Sequence, residues 1–437
     1  MSLFDQVLTK TVAIVEASAL VSNLESVTII RDLGGRVRLV LEFKRDADGK
    51  DLLPANWDDA RDVLAQQLQR ELGPYWRGQI WRAGRPDAVH KALGEAIDAN
   101  RQLWDNAPTT LGGALQWYKV ERTFSKSSWM GQTMRPPWML DDPANPAIVS
   151  FYSFKGGVGR TTALAACALL MARAGHSVVV LDLDLEAPGV GGLLLGDITQ
   201  PDDGVVDYLL ERQLLRQRPA NLGLYVAIQN DVQLIGNGRP IRVLTAGKLG
   251  QTFLEKIARL DFEGFVNTSL NPLADLLVHI REEYRPDFIL LDVRSGLHDL
   301  GGLSLNGMSH LDVLFGLDTP QSWAGLEIVL PILGMAADRR EVLLVHAMVT
   351  PEHFDPAANA RFREHSLELF QKYYYRADED IPDTNDPDAP YGLPILYQDA
   401  LLNVGSLARV VNLLTRSDSS YASLVRAIGV YLQRETL

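Results

Sequence analysis

The segment FKGGVGRTT at residues 154–162 combines glycine, positive charge and hydroxyl groups, a mixture suited to binding phosphate. Glycines allow the backbone to turn tightly, so that successive N–H groups point at the same phosphate oxygens. A helix that begins at about Thr161 would add partial positive charge at this point. The Thr161 hydroxyl is placed to contact a Mg²⁺ ion that bridges the phosphates. The predicted nucleotide ligands in this segment are Lys155, Gly156, Gly157, Val158, Gly159, Arg160, Thr161 and Thr162.

Two residues of this segment depart from the general P-loop pattern G-x-x-x-x-G-K-[ST]. Phe154 stands at the position of the first glycine, and Arg160 stands at the position of the lysine. A guanidinium group is larger than an ammonium group, planar and forked, so the exchange of arginine for lysine is not conservative. The pattern therefore predicts phosphate binding and leaves the rate of any hydrolysis open.

Carboxylates lie at the ends of two apolar runs later in the chain. SVVVLDLD at 177–184 contains Asp182 and Asp184, and FILLDV at 288–293 contains Asp292. In an open α/β sheet, side chains at the carboxyl ends of the strands face the ligand. Asp292 follows four apolar residues, which suits an acid that contacts Mg²⁺ through water. We expect these three acids to lie beside the glycine-rich segment.

Apolar runs alternate with helical patterns from residue 146 onward. Strands that are apolar throughout, with helices between them, indicate a parallel sheet covered on both faces. We predict an α/β fold: a doubly wound, mostly parallel sheet of the P-loop NTPase type, preceded by a small α+β domain. The predicted strands are 147–152, 177–184, 241–247, 288–293, 313–317 and 341–349, and the predicted helices include 161–174 and 271–285.

The region before residue 143 has a different composition. It contains seven of the eight tryptophans, and the proline-rich stretch 135–147 separates it from the rest of the chain. We predict two domains, 1–143 and 144–437. The sequence DLGG at 32–35, between two strand patterns, predicts a β-hairpin in the first domain. The tryptophans either fill a small core or form a recognition surface for a protein partner, because Trp is enriched in binding hot spots.

With its leading lysine, KGGVGRTT resembles the deviant Walker A motif, KGGVGKTT, of the MinD/ParA family of P-loop ATPases. SVVVLDLDLEAPG is similar to that family's second strand and switch I segment, and PDFILLDVRSGLHDLGG is similar to its Walker B strand and switch II. LPILYQDALL at 393–402 resembles a late I-P-x-D segment that lies near the base. The resemblance covers about 146–437. KGGVGR is the usual form in one subgroup of the family, in which Arg160 is expected.

The resemblance implies a role for each matching residue. Asp184 matches the acid that orients the attacking water, and Asp182 matches the acid that supports the magnesium shell. Lys155 matches a lysine that reaches the partner's nucleotide, which implies a homodimer with nucleotide between the subunits. Pro394 belongs to the segment near the base. The predicted catalytic residues are Asp184, Lys155, Arg160 and Arg294, and the predicted metal ligands are Thr161, Asp182 and Asp292.

Two residues after the Walker B strand have alternative interpretations. Arg294 either supplies positive charge to the γ-phosphate, as an arginine finger does, or pairs with Asp299 or a switch carboxylate. His298 is interpreted as a structural or solvated side chain rather than a catalytic one. The stretch 420–437 is interpreted as a last helix packed on the sheet rather than a membrane-binding tail.

Charge and composition restrict the partners. Residues 1–145 carry 18 basic and 19 acidic residues, whereas residues 146–437 carry 24 and 36. This excess of acid disfavours nucleic acid and anionic membranes as partners. No [NT]-K-x-D element follows the late strand, which favours ATP over GTP. A single cysteine, Cys167, together with no membrane-length apolar run and no signal peptide, predicts a cytoplasmic protein.

Three functions follow from these expectations. The first is a Mg²⁺-ATP-dependent switch ATPase that dimerises around nucleotide and signals to a protein partner through residues 1–143, in a bacterial signalling or conflict system. The second is an ATP-binding scaffold that does not hydrolyse nucleotide. The third is the partitioning of cargo on DNA or membrane.

Overall fold

The computed structural model describes residues 3–84, 94–111, 115–123, 125–130, 135–215, 217–267, 271–335, 339–350, 355, 357–402, 404 and 406–437. The chain divides into two units, Met1–Phe124 and Ser125–Leu437. The division therefore falls before Ser125 and not near residue 143. The second unit begins at Ser125, and Trp129 and Trp138 are buried in its core.

The first unit contains a five-stranded sheet in the order β3-β2-β1-β5-β4. The predicted hairpin is confirmed: β1 and β2 are antiparallel, and Gly35 between them has a φ of 78°. Trp76 and Trp117 are buried in this unit's core, as the core interpretation of the tryptophans predicts. The elements are α1 (Leu3–Glu16), β1 (Leu24–Arg31), β2 (Val37–Phe43), α2 (Trp57–Leu72), β3 (Trp76–Arg82), β4 (Gln102–Leu103) and β5 (Gln116–Glu121).

The second unit contains an eight-stranded sheet in the order β13-β12-β11-β6-β10-β7-β9-β8. All neighbouring strands are parallel except β8 and β9, so the predicted doubly wound, mostly parallel sheet is confirmed. Its strands are β6 (Ala147–Ser153), β7 (Val178–Leu183), β8 (Ala227–Gln229), β9 (Ile241–Leu244), β10 (Phe288–Val293), β11 (Leu311–Gly316), β12 (Glu341–Val349) and β13 (Leu393–Leu396).

Helices cover both faces of this sheet, and two large apolar clusters lie between helices and strands. The described helices are α3 (Ser127–Met130), α4 (Arg160–Arg173), α5 (Val190–Leu195), α6 (Val205–Leu214), α7 (Val232–Ile235), α8 (Gln251–Ile257), α9 (Phe262–Asn267), α10 (Pro272–Tyr284), α11 (Asp299–Leu303), α12 (Pro320–Gly334), α13 (Ala358–Tyr373), α14 (Val411–Leu414) and α15 (Ser420–Leu432).

Helix α4 is buried on all sides, which explains its composition. Ten consecutive residues from Ala163 to Ala172 are buried, and five of them are alanine. Small side chains let neighbouring elements approach this helix closely. Tyr421, Leu424 and Ile428 of α15 are buried in the same cluster, so the last helix packs on the sheet as predicted. Within the described residues, no helix is long and apolar enough to span a membrane.

Candidate nucleotide-binding site

The glycine-rich loop connects the central strand β6 to the buried helix α4. Strand β6 ends at Ser153 and α4 begins at Arg160, so the loop lies at the carboxyl edge of the sheet. Strand β6 has β10 on one side and β11 on the other. Ligands bind open α/β sheets at such a place, where successive connections run in opposite directions.

Backbone geometry explains the two later glycines of the loop. Gly157 and Gly159 have φ angles of 73° and 79°, which side chains with a Cβ rarely adopt. A Cβ on Gly156 would lie 3.3 Å from Ser295 Oγ, so the loop passes close to the residues that follow β10. Val158 is buried and anchors the loop to the core.

Phe154, which replaces the first glycine of the general pattern, packs against helix α12. A Cβ built on Gly325 of that helix would lie 2.1 Å from Cγ of Phe154. The aromatic ring therefore occupies space that only a glycine at position 325 leaves open. Sequence reasoning identified Phe154 as a departure from the pattern but did not identify its partner, because Gly325 lies far away in the chain.

We expect Gly325→Ala to displace Phe154 and with it the loop. Alanine favours a helix over glycine, but here its Cβ overpacks the site at a cost of roughly 1–3 kcal/mol. Thermal unfolding and equilibrium nucleotide binding measure the effect. We expect both the melting temperature and the affinity for nucleotide to fall. Gly192→Ala is the matched control, because a Cβ on Gly192 in α5 meets no atom within 4 Å. Equal melting temperatures and equal nucleotide affinities in the two variants would contradict the packing of Phe154 on Gly325.

Arg160 joins the loop to two of the predicted carboxylates. Its Nε donates to Asp292 Oδ1 at 2.8 Å, and its Nη2 donates to Asp184 Oδ2 at 3.3 Å. Thr161 Oγ1 donates to the other Asp292 oxygen at 2.8 Å. Arg160 is only 7% exposed and Asp292 is fully buried, so water screens these ion pairs weakly. Arg160, Thr161, Asp184 and Asp292 thus form one cluster.

Asp182 lies beside this cluster and holds the loop that follows β7. It is paired in register with Asp292 on the neighbouring strand β10. Its carboxylate accepts backbone N–H bonds from Asp184, Gly189 and Gly191 at 3.2, 3.1 and 3.5 Å. Burial raises the pKa of Asp182, and the nearby charge of Asp292 raises it further.

The donor set of this cluster suits a divalent cation. The carboxylates of Asp184 and Asp292 pair with the guanidinium group of Arg160, and Mg²⁺ prefers oxygen ligands of the kind that Thr161 and Asp292 supply. Among the described residues, no group of three or more His, Cys, Asp or Glu side chains has the geometry of a metal site. Mg²⁺ at a phosphate loop takes the rest of its coordination from phosphates and water, so two protein ligands fit such an ion.

Arg294 pairs with a switch carboxylate in the structure, which is one of its two predicted interpretations. Its Nη1 lies 2.7 Å from Glu186 Oε2 and 3.9 Å from Asp184 Oδ1. Glu186 also contacts His298, whose Nε2 lies 3.0 Å from Oε1. Asp299 pairs with Lys126. His298 accepts the backbone N–H of Leu300 at 3.4 Å, and this contact gives it a structural role at the start of α11.

The remaining predicted residues lie apart from this cluster. Lys155 is half-buried, and its side chain makes no ion pair among the residues that the structure describes. Thr162 lies in the first turn of α4. Pro394 lies inside β13, opposite His346, two residues before the strand ends at Leu396. Sequence reasoning offered a switch carboxylate as the partner of Arg294 but did not name Glu186, the acid two residues after Asp184.

The fold and the site together define a P-loop nucleotide-binding protein. The family model of the CobQ/CobB/MinD/ParA nucleotide binding domain matches residues 149–430. The chain belongs to this family, and the resemblance predicted from the motifs is confirmed.

Several solved structures are similar to this chain at low sequence identity. The MinC:MinD cell division protein complex of Aquifex aeolicus is 15% identical, covers 65% of this chain and 96% of that chain, and has a TM-score of 0.43. MinD complexed with Mg-ADP from Pyrococcus horikoshii OT3 is 18% identical, with coverages of 65% and 96% and a TM-score of 0.40. A ParA family ATPase from Chlorobium tepidum TLS is 15% identical, with coverages of 65% and 96% and a TM-score of 0.38.

A shorter match joins this chain to a curated protein. The cytosolic Fe-S cluster assembly factor Nubp2 homolog of Drosophila willistoni is 45% identical over 71 residues. The match spans 16% of this chain and 26% of that protein.

Proposed function

We propose that this protein is a Mg²⁺-dependent ATP-binding switch ATPase. The observation that carries the proposal is the cluster of Arg160, Thr161, Asp184 and Asp292 beside the glycine-rich loop. The loop N–H groups, Lys155 and Arg160 would neutralise the phosphates, because phosphoryl transfer depends on positioning and charge stabilisation.

The carboxylates of Asp182, Asp184 and Asp292 have different roles in this proposal. Thr161 and Asp292 would hold Mg²⁺, which supplies positive charge to the β- and γ-phosphates when it is bound. Asp182 would support them from the neighbouring strand. Asp184 would accept a hydrogen bond from the attacking water and orient it. Release of phosphate from ATP that depends on Mg²⁺ tests the proposal, and tight ATP binding without any release would favour the scaffold function instead.

ATP is the proposed nucleotide because the chain has no [NT]-K-x-D element after β12. Part of the relevant stretch, 351–354, lies outside the described residues. Competition between labelled ATP and unlabelled GTP tests this choice. Displacement of ATP by GTP at equal concentration would contradict it.

We also propose that nucleotide binding produces a homodimer through Lys155. Lys155→Ala should weaken dimerisation at least about tenfold, because a charge that reaches the partner's phosphates would be lost. Sedimentation velocity with a non-hydrolysable ATP analogue and Mg²⁺ measures the effect. Lys372→Ala, which removes an exposed lysine from α13, is the control. Dimers of equal stability in both variants would contradict the role of Lys155.

We propose that the switch signals its nucleotide state to a protein partner that binds residues 1–143, in a signalling or conflict system. The near balance of charge in residues 1–145 supports a protein as the partner. Assembly of Fe-S clusters, the activity named for the Drosophila relative, has little support from this chain. Clusters are held by several cysteine thiolates, whereas this chain has one cysteine, Cys167, which is fully buried.

A further inference from the structure

Residues 125–130 precede the part of the chain that matches the family model, yet they pack on the candidate site. We call them the entry segment, because they are the first residues of the second unit and follow directly from the first unit. They include helix α3. They contact Tyr152 of β6, Glu263 of α9 and, among residues 294–303 that follow Asp292, His298 and the start of α11.

Polar contacts attach the entry segment to two acids. The Lys126 backbone N–H donates to Asp299 Oδ1 at 2.6 Å, and the Lys126 ammonium group lies 3.2 Å from the other Asp299 oxygen. Ser127 donates its backbone N–H to Glu263 Oε1 at 3.1 Å, and its hydroxyl donates to the other oxygen of Glu263. Lys126 has a φ of 72°, a left-handed conformation that a lysine adopts only when its surroundings hold it there.

Trp129 is the apolar anchor of the entry segment. It is 7% exposed, its ring centre lies 5.9 Å from that of Tyr152, and its indole N–H donates to the His298 carbonyl at 2.8 Å. A Cβ on Gly301 would lie 3.1 Å from the Trp129 ring, and a Cβ on Gly302 would lie 2.4 Å from Ser128 Oγ. The two glycines therefore permit the close approach of the entry segment to α11.

A continuous set of contacts runs from Trp129 to the acid that we propose orients water. Trp129 holds the His298 backbone, His298 contacts Glu186, and Glu186 pairs with Arg294. Arg294 lies 3.9 Å from Asp184. A movement of Arg294 away from Glu186 would leave His298 as the partner of that carboxylate among the described residues.

From these contacts we infer that Trp129 and Lys126 are positioning residues for ATP hydrolysis, and that the entry segment transmits the nucleotide state of the site to the chain leading to the first unit. The inference rests on the proposed ATPase function. Linkage requires the effect to be reciprocal for binding: if nucleotide changes the packing of the entry segment, a change in that packing alters nucleotide affinity by the same factor.

Trp129→Phe tests the positioning role, because it keeps an aromatic ring and removes the indole N–H. One hydrogen bond contributes roughly 0.5–1.5 kcal/mol, so we expect kcat for phosphate release to fall about two- to tenfold with KM for ATP little changed. Trp138→Phe is a closely matched control. Trp138 is 6% exposed, lies in the same apolar cluster, and donates its indole N–H to the Pro146 carbonyl at 2.7 Å, outside the 294–303 residues.

Hydrogen exchange tests the transmission without requiring turnover. We expect the backbone amides of Lys126 and Ser127 to exchange at a different rate when a non-hydrolysable ATP analogue and Mg²⁺ are added to the full chain. Asp299→Asn should reduce that difference, because it weakens the Lys126 contacts while keeping the side-chain shape.

The outcomes separate the two proposals. Wild-type protein that binds the analogue but releases no phosphate from ATP contradicts the ATPase function. The exchange measurement still decides whether the entry segment responds to nucleotide. Unchanged exchange at 126–127 while the 154–162 loop becomes protected contradicts the transmission alone. Equal losses of kcat and of melting temperature in Trp129→Phe and Trp138→Phe would show a general packing effect and contradict the positioning role.

Discussion

Replacing Arg160 with methionine should weaken ATP binding by more than about 100-fold, because each hydrogen bond that the guanidinium would donate to a phosphate oxygen contributes roughly 1.5–3 kcal/mol, and two such bonds would be lost. Methionine keeps much of the apolar volume of arginine and removes every donor. The loss would also leave Asp184 and Asp292 without the guanidinium that now pairs with them. Uncompensated negative charge at the loop would repel the phosphates further. Isothermal titration with ATP and Mg²⁺ measures the change.

A second measurement on the same variant reports directly on the carboxylates. In the wild-type protein the guanidinium of Arg160 already neutralises Asp292 and Asp184, so Mg²⁺ without nucleotide should raise the melting temperature little. In Arg160→Met the same carboxylates should bind Mg²⁺ alone and gain stability from it. Arg160→Lys keeps the positive charge but loses the forked guanidinium group. Mg²⁺ alone should raise its melting temperature by an intermediate amount.

Arg173→Met provides the control for Arg160→Met. Arg173 lies on the same helix, but its Nε donates to the Leu234 carbonyl at 2.8 Å, which is a structural contact. We expect this variant to lose some stability and to bind ATP normally. Wild-type ATP affinity in Arg160→Met would contradict a direct role of Arg160 in phosphate binding.

The second large effect is expected at Asp184. A positioned general base or water-orienting acid contributes about 100- to 10,000-fold, so Asp184→Ala should reduce phosphate release by about 100-fold or more. ATP binding should be retained, because the variant removes a negative charge that lies 3.3 Å from Arg160 Nη2. Single-turnover phosphate release and equilibrium binding of ATP, measured on the same preparation, separate the two effects.

Asp197→Ala is the control for Asp184→Ala, because Asp197 is an exposed acid that follows α5. It should release phosphate at the wild-type rate. Phosphate release by Asp184→Ala at the rate of Asp197→Ala would assign the attacking water to another residue. If all three proteins, the wild type included, bind ATP but release no phosphate, the scaffold function is the remaining interpretation.

Six of the eight strands in the sheet of the second unit were predictable because each is a local apolar run, whereas the order of the strands was not predicted. Runs such as FILLDV at 288–293 are apolar throughout, and the structure gives a strand with the same bounds. The edge at which Asp182, Asp184 and Asp292 meet follows from the parallel direction of these strands. The glycines at 157 and 159 were predictable for a similar reason, since a tight turn between a strand and a helix requires positive φ.

Contacts between distant residues were not predictable from local patterns. The pairing of Arg160 with Asp292 spans 132 residues, and the pairing of Lys126 with Asp299 spans 173. The proline-rich stretch at 135–147 indicated a linker, and this moved the predicted boundary away from Ser125. The burial of Trp129 depends on Gly301 and on the His298 carbonyl, both far along the chain, and periodicity carries no information about such contacts.

The attachment of the entry segment also has a mechanical consequence. A pull on the first unit along the chain would reach the second unit at Lys126 and Trp129 before it reached any strand of the sheet. The first bonds under load would be those to Asp299 and to the carbonyl of His298, within residues 294–303. If nucleotide changes the entry segment as we propose, tension and nucleotide would act on the same few bonds, and a partner that pulls on the first unit would change the candidate site without touching it.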